Sequence, residues 1–385
     1  ETMKLAEHVA SLRWEDLPSE LIEELKTLLL DYVGVALRGS KTEAARIAAE
    51  YQRDCGHGQS AATLIGHGWT ASVKGASFAN AIASHSIELD DVDELALFHF
   101  SPPVFSAALA AAEAEGVTGK RLLVALAAGC EVMARISNAM NPMLRDRGFH
   151  TTPVCGVFGA AAAVSVLLGL SAGQTASAFG IAGAHAGGLM EMYGPSMQKR
   201  LNPGPAAHNG VVSAEMARRG FEGAETIFEG ERGVLRAFAG QSDPSALTEG
   251  LGKVFPVHIE YKPYACARPI HNAIDCALAL RPKLVGRLDD ITALNVRRHP
   301  SWAHYHQIPA PRTYHEAQVS LNHGVAVGLA EGAAFFDQFG EDRIQNPVIQ
   351  RLSRMLTFQA DPGLPRGVSC VLEVTLATGE KLESQ

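Results

Sequence analysis

Apolar residues recur at helical spacing through most of the chain up to about residue 250. The clearest apolar stripe runs between Pro18 and Gly39, where leucine, isoleucine and valine return every three or four residues. Similar patterns predict helices over residues 42–55, 72–84, 103–115, 119–140 and 156–168. Alternating patterns typical of strands are almost absent from this part. It is therefore predicted to be a large, all-α domain over residues 1–253.

Helix-end signals support these boundaries. Gly39 is expected to end the helix that follows Pro18, because glycine tolerates the backbone found after a helix. Thr118 is a suitable N-cap for the helix over 119–140. Ser171 and Gln174 have the spacing of a capping box, which predicts one more helix beginning at Ala172.

The character of the pattern changes near residue 253. Strands are predicted over 253–265, 291–300 and 370–385, the last with a turn at its Thr-Gly-Glu sequence. Helices are predicted over 271–281 and 316–336. This second part is predicted to be a smaller α+β domain over residues 254–385, and a cleft between two domains is a common place for a ligand site.

Composition narrows the class of protein. The net charge is -8 over 385 residues, which argues against nucleic acid as the main partner. The six cysteines form no CxxC pair, as expected of reduced thiols in a cytoplasmic protein. The longest apolar run, residues 154–170, falls short of the roughly 20 residues of a membrane span and is rich in Gly and Ala. It predicts a buried helix and no membrane association.

Five polar clusters interrupt this otherwise apolar chain. The densest lies at residues 85–103 (HSIELDDVDELALFHFSPP), where five acidic residues stand beside two histidines, and the others are residues 145–156, 185–210, 260–271 and 302–318. The chain has no HExxH pattern, nucleotide-binding glycine loop or serine-hydrolase elbow. A metal site is therefore not expected, and the chemistry falls to Lys, His, Tyr and carboxylate side chains.

The basic residues of these clusters indicate the substrate class. Arg145, Arg147, Arg200 and Arg268 match carboxylates in shape and charge, so they favour a substrate with several carboxylates. A buried lysine or a histidine can remove a proton alpha to a carboxylate, and a second such group can return one. This set permits elimination of water, decarboxylation or epimerisation, and residue types alone leave the three open.

In this order along the chain, the five clusters resemble motifs of the MmgE/PrpD family, which includes 2-methylcitrate dehydratase, cis-aconitate decarboxylase and iminodisuccinate epimerase. The similar segments are HSIELDDVDE with HFSPPV, RGFHTTPVCGVFGAAAAV, SMQKRLNPGPAAHNGVVSA, YKPYACARPIHNAID and PAPRTYHEAQVSLNHGVAVGL. The resemblance spans nearly the whole chain. Its catalytic residues, carried over by position, are Glu88, His99, His150, Lys199, Lys262 and Tyr305.

The resemblance also implies the surroundings of this set. Glu88 and Asp91 are expected to orient it, and the substrate-binding residues are expected to be Asp91, Arg147, Tyr193, Arg200 and Arg268. The family implies a large all-helical domain, a smaller α+β lid that closes over a site in the cleft, a homodimer, and no metal or organic cofactor. Relatives carry a further helical segment after the last strand, which we expect to be missing from this chain.

Three departures bear on the reaction. Glu88 stands where the decarboxylases have Asp, Val92 where dehydratases and decarboxylases commonly have Thr, and Phe100 where the family has Pro. We therefore expect a metal-independent enzyme that abstracts a proton alpha to a carboxylate in a small di- or tricarboxylic acid, either an epimerase or a dehydratase-like hydro-lyase. The alternatives are a cis-aconitate decarboxylase-like lyase and a non-catalytic polycarboxylate-binding protein.

Overall fold

A computed structural model describes residues 1–55, 62–95, 98–192, 195–240, 243–365 and 367–385. The described chain is mainly α-helical, as predicted. It groups into two compact units, the first formed by Glu1–Met192 and Met197–Tyr261 and the second mainly by Lys262–Gln385. The units divide after Tyr261, whereas the sequence pattern placed the change near 253, and the domain limits themselves stay a prediction.

The first unit is a layered arrangement of helices with one small hairpin of strands, β1 (Ala62–Leu64) and β2 (Trp69–Ala71). Its helices are α1 (Thr2–Ser11), α2 (Ser19–Gly39), α3 (Glu43–Asp54), α4 (Val73–Ser84), α5 (Ser101–Glu115), α6 (Gly119–Met140), α7 (Met143–Asp146), α8 (Thr151–Leu168), α9 (Ala172–Gly183), α10 (Gln198–Leu201), α11 (Pro203–Arg218) and α12 (Val234–Ala239).

Helices α6 and α8 form the centre of this unit and are buried on nearly every side. They approach closely because glycines face each other: a Cβ on Gly129 would lie 2.8 Å from the carbonyl oxygen of Gly159, and one on Gly159 would lie 2.7 Å from that of Gly129. Both helices are long and apolar enough to cross a membrane, but 89% and 94% of their most apolar windows are buried inside the protein. We interpret them as core helices.

The predicted helix ends of this unit are largely confirmed. Helix α2 ends at Gly39, the Thr118 side chain accepts a hydrogen bond from Arg121 N, and Ser171 with Gln174 forms the capping box. Helix α8 begins at Thr151, earlier than the apolar pattern indicated. Helix α11 was not predicted, because its Pro-Gly-Pro start is typical of a loop, although proline is favoured in the first turn of a helix.

The second unit packs helices against a four-stranded sheet with the strand order β4-β3-β5-β6. Strand β3 is parallel to β4 and antiparallel to β5, and β5 forms a hairpin with β6. The elements are α13 (His271–Leu280), β3 (Ile291–Arg298), α14 (Tyr314–Gln318), α15 (Leu321–Glu331), α16 (Glu341–Ile344), α17 (Pro347–Met355), β4 (Leu356–Ala360), β5 (Cys370–Leu376) and β6 (Lys381–Ser384).

The strand predicted over 253–265 is wrong. This segment makes a single isolated bridge, between Glu260 and Val92. Pro256 and Pro263 lack the N–H that a ladder requires, and the Val254 carbonyl accepts a hydrogen bond of 2.8 Å from Arg135 instead of from a strand. Apolar residues do alternate in this segment, but the hydrogen-bond partners of its backbone are not those of a sheet.

The helix predicted over 316–336 is two helices, α14 and α15. The break follows from Ser320, whose hydroxyl oxygen accepts a hydrogen bond of 3.0 Å from His323 N and so starts a new helix. The predicted hairpin at the end of the chain is confirmed, with the Leu376 N–H donating to the Glu380 carbonyl at 2.9 Å. Strand β4 had no recognisable pattern.

Candidate active site

The acidic stretch of the sequence forms the loop between α4 and α5 in the first unit, and its carboxylates are buried. Glu88, Asp90 and Asp91 are all fully buried. Glu88 has a backbone φ of 54°, which is unfavourable for a residue with a side chain. Such strain persists only when surrounding contacts hold it, and it is often found at functional sites.

The side chain of Glu88 is held by two cations. Lys199 Nζ and Arg200 Nη1 both donate hydrogen bonds to Glu88 Oε1, and all three side chains are buried. The two cations come from α10, a single helical turn that leads into α11. Arg200, which was predicted to bind a substrate carboxylate, therefore already binds a carboxylate of the protein.

Asp91 binds the start of a helix. Its carboxylate accepts hydrogen bonds from Phe100 N at 2.8 Å and from Ser101 N at 3.1 Å, where α5 begins. The partial positive charge of a helix N-terminus stabilises a carboxylate there. Burial disfavours the charged carboxylate. Because burial is the larger effect, it raises the pKa of Asp91 to about 6. Asp91 thus holds the start of α5, directly after His99, and its two predicted roles in the site stay predictions.

Asp90 connects two histidines. Its Oδ2 atom lies 2.7 Å from His85 Nδ1 and 3.2 Å from His99 Nδ1. His99 Nδ1 also donates to the backbone carbonyl of Asp91 at 2.5 Å. Because carboxylate and carbonyl oxygens only accept, both imidazoles carry their proton on Nδ1. In the neutral form of His99 the Nε2 atom is therefore a hydrogen-bond acceptor, and so a potential base.

His150 has the opposite arrangement. The amide nitrogen of Asn202 donates to His150 Nδ1 at 3.0 Å, so a neutral His150 carries its proton on Nε2. Burial, followed by the positive charge that neighbouring His85 and Lys199 would place beside it, holds the pKa of His150 well below its ordinary value. At neutral pH His150 is a neutral hydrogen-bond donor. The cluster thus contains one acceptor imidazole and one donor imidazole.

Among the described residues, His85, Asp90 and His99 bring potential metal-ligand atoms within 4.8 Å of one another. The two imidazole nitrogens lie at hydrogen-bond distance from the Asp90 oxygen, so hydrogen bonds account for these contacts. Independence from metals and cofactors stays a prediction.

The structure describes all but one of the remaining predicted residues. Arg147 is exposed at the end of α7. In the second unit Lys262 is buried, Tyr305 is exposed, and Arg268 donates to Asn272 Oδ1 at 2.9 Å. Tyr193 lies outside the described residues. The roles of these residues stay predictions.

Asp90, His85 and Asn202 are not among the site residues predicted from the sequence. Asp90 is one of three aspartates close together in the sequence, and nothing in that pattern tells which of them faces a histidine. A signal was available for His85, because it directly follows Ser84, the last residue of α4, and Asp90 lies five residues later in the same loop. Asn202 follows Lys199 by three residues, one turn later, which places it near the same site.

Comparison with known proteins agrees with the order of the sequence motifs. The MmgE/PrpD N-terminal domain model matches residues 3–247, and the MmgE/PrpD C-terminal domain model matches residues 264–385. Together these matches include the residues of the buried cluster and the second-unit residues Arg268 and Tyr305, whereas Lys262 falls between the two matches.

Curated relatives are similar over most of the chain. A cis-aconitate decarboxylase-like protein of Aspergillus oryzae is 31% identical over 379 residues, which cover 91% of this chain and 78% of the relative. The cis-aconitate decarboxylase of Homo sapiens is 28% identical over 98% of this chain and 81% of its own length. That of Aspergillus terreus is 27% identical over 96% and 80%.

Proposed function

The chain belongs to the MmgE/PrpD family, and we propose that it is a metal-independent lyase that acts on a small polycarboxylate in the manner of a cis-aconitate decarboxylase. The similarity to three proteins with that name or a related one supports the class of reaction. A cis-aconitate decarboxylase-like lyase is one of the alternatives that the sequence left open.

The observation that carries the proposal is the complementary pair of imidazoles. A neutral His99 presents an unprotonated Nε2, and a neutral His150 presents an Nε2–H. Proton transfer needs one group that accepts and one that donates, and the two rings are fixed in these forms by Asp91 and Asn202. Lys199, an ammonium beside them, adds a positive charge that attracts carboxylates.

Decarboxylation of an unsaturated tricarboxylate needs a proton donor. The bond between the leaving carboxylate and the neighbouring chain carbon breaks, and the electron pair of that bond forms a new carbon–carbon double bond. The electrons of the old double bond then take a proton at the other carbon, so carbon dioxide leaves and one proton is consumed. We assign the delivery of this proton to His150 or Lys199, and we assign to His99 the return of a proton from solvent.

A second candidate follows from the departures in the loop. Glu88 replaces an aspartate and Val92 a threonine of the family's motif. An epimerase needs only an acceptor and a donor on opposite faces of one carbon and has no leaving group. A dehydratase would use the same pair to remove the alpha proton and to protonate the departing hydroxyl. A binding protein without turnover is the candidate from outside the enzymes.

Several further expectations remain proposals. Lys262 and Tyr305 are proposed to complete the catalytic set, and the second unit to act as a lid that excludes water. Arg147, Arg268 and Tyr193 are proposed to bind substrate carboxylates. We also propose a cytoplasmic homodimer whose partner is a small polycarboxylate and that binds neither nucleic acid nor membrane.

The reactions are distinguished by incubating the protein in deuterium oxide with cis-aconitate, with citrate-type hydroxy acids and with iminodisuccinate stereoisomers. Release of carbon dioxide from cis-aconitate supports the proposal. A new alkene from a hydroxy acid, or deuterium incorporation with inversion, supports the second candidate. Tight binding in calorimetry without turnover or exchange would establish a binding protein and overturn the proposal.

A further inference from the structure

We propose that His85 is a positioning residue for His99: its Nδ1–H holds the Asp90 carboxylate in the place where that carboxylate orients the His99 ring. This inference depends on the proposed function only in the experiments that measure enzyme activity. It assigns a role to a buried histidine that the catalytic set does not include.

The burial pattern places His85 behind the reacting groups. His99, His150 and Lys199 keep between 6% and 9% of their surface exposed, whereas His85 and Asp90 are fully buried. The His85 ring lies 5.0 Å from the His99 ring and 6.2 Å from the His150 ring, measured between centroids. His85 thus lies next to both of these histidines and has no solvent-accessible surface of its own.

The hydrogen bonds define what His85 can do. Its Nδ1 lies 2.7 Å from Asp90 Oδ2, the same oxygen that lies 3.2 Å from His99 Nδ1. Its Nε2 is buried without a hydrogen-bond partner among the described residues. The ring therefore stabilises Asp90 through one atom only, and that atom is a donor.

The charges that act on His85 explain why a neutral ring is suited to this position. Asp90 and Glu88 favour a protonated ring, and Lys199 together with burial disfavours it. The overall result is a lowered pKa for His85, with burial as the largest cause. A neutral Nδ1–H donates to Asp90 without adding a further positive charge near Lys199.

Loss of this donor would leave Asp90 Oδ2 with its weaker contact to His99. A buried carboxylate that loses a hydrogen bond turns to another donor or takes up a proton. Either change removes the carboxylate from His99 Nδ1 and so weakens the hold on the ring, which keeps its hydrogen bond to the Asp91 carbonyl at 2.5 Å. A displacement of about 1 Å in a catalytic group can lower a rate about 100-fold. The expected effect is on kcat, because His85 does not reach the substrate.

Two variants of similar size separate the two nitrogens of the ring. The side-chain nitrogen of His85→Asn lies near the position of Nδ1 and can donate to Asp90. That of His85→Gln reaches instead toward the position of Nε2. We expect His85→Gln to lose kcat about 100-fold with little change in KM. His85→Asn should recover much of that loss, and thermal unfolding of both variants checks that they are folded.

An independent readout does not need substrate. In protein labelled with nitrogen-15 at histidine, the Nδ1–H proton of His99 should resonate far downfield in the wild type and in His85→Asn. It should move upfield in His85→Gln. If the wild type turns over none of the tested acids but this pattern is seen, the proposed function fails and the role of His85 stands.

Three results would overturn the role of His85. One is an unchanged His99 resonance and an unchanged kcat in His85→Gln. Another is an equal loss of kcat in both variants, which would assign the function to Nε2 instead. The third is an activity abolished by a chelator and restored by a divalent ion, because His85, Asp90 and His99 would then be metal ligands.

Discussion

Glu88 and Lys199, 111 residues apart in the sequence, form a buried ion pair, and Arg200 donates to the same carboxylate oxygen. One carboxylate thus compensates two cations that burial has removed from water. Because an uncompensated buried charge is costly, the three residues depend on one another. The pair also accounts for the unfavourable backbone of Glu88, which carries its side chain toward α10.

Replacing Glu88 by glutamine should therefore destabilise the protein strongly. The amide removes the negative charge that Lys199 and Arg200 share at Oε1, and we expect the free energy of unfolding to fall by about 3–5 kcal/mol. Urea unfolding measures it. The control is Glu23→Gln, which removes an exposed pair with Lys26 and should cost less than about 1 kcal/mol. Equal losses in the two variants would contradict a special role for the buried pair.

Lys199→Met should abolish most turnover of the true substrate. We expect kcat to fall by a factor of about 100 to 10,000, the usual contribution of a positioned proton-transfer group. Steady-state kinetics with the substrate identified in the screen measures it. Lys74→Met is the matched control, since Lys74 pairs with Glu215 away from the cluster and should keep wild-type turnover. Retained activity in Lys199→Met would remove this lysine from the catalytic set.

Asp91 should give the stability a pH dependence of defined sign. Its pKa is raised from 3.8 to about 6, so the folded state binds this proton more tightly than the unfolded state. The contribution is complete below about pH 4 and is lost as the pH rises through about 6, amounting to about 3 kcal/mol. Subtracting the unfolding free energies of Asp91→Asn from those of the wild type across this range isolates it. A difference that rises with pH would show the opposite shift.

Two glycines in helices should respond to alanine in opposite directions. A Cβ on Gly129 in α6 would lie 2.6 Å from Val104 Cγ1 and 2.8 Å from the Gly159 carbonyl oxygen, so Gly129→Ala should cost about 1–3 kcal/mol. Gly34 in α2 has no atom within 4 Å of such a Cβ, and Gly34→Ala should stabilise by about 0.5–1 kcal/mol. Thermal unfolding distinguishes the two, and a stabilised Gly129→Ala would disprove the tight helix crossing.

The parts of the fold predicted from the sequence are those set by local chemistry. Thr118 and Ser171 cap the expected helices because a hydroxyl and a backbone N–H three residues later are enough to define the cap. The strand expected over 253–265 is not formed, because its hydrogen-bond partners depend on Arg135 and Val92, more than a hundred residues away. Pattern alone carries no information about such partners.

The candidate site likewise contains residues that a local motif identifies and residues that only the structure identifies. Glu88, His99, His150 and Lys199 could be named from the sequence because each lies in a motif that resembles the family's, and their catalytic roles stay a prediction. Asp90 could not be chosen over its neighbours from sequence, because the choice depends on which carboxylate the loop turns toward His85 and His99. The protonated nitrogen of each imidazole likewise became clear only from Asp91 and Asn202.

The separation of Glu88 from Lys199 has a consequence for how the protein acquires activity. Local helices can form early in folding, whereas contacts between distant parts of a chain form slowly. The loop before α5 and the turn at α10 are separated by helices α5, α6, α7, α8 and α9, so we expect them to meet only after these helices have been placed. On dilution from denaturant, the helical circular-dichroism signal should therefore return before turnover does, and activity would report the last stage of assembly of the first unit.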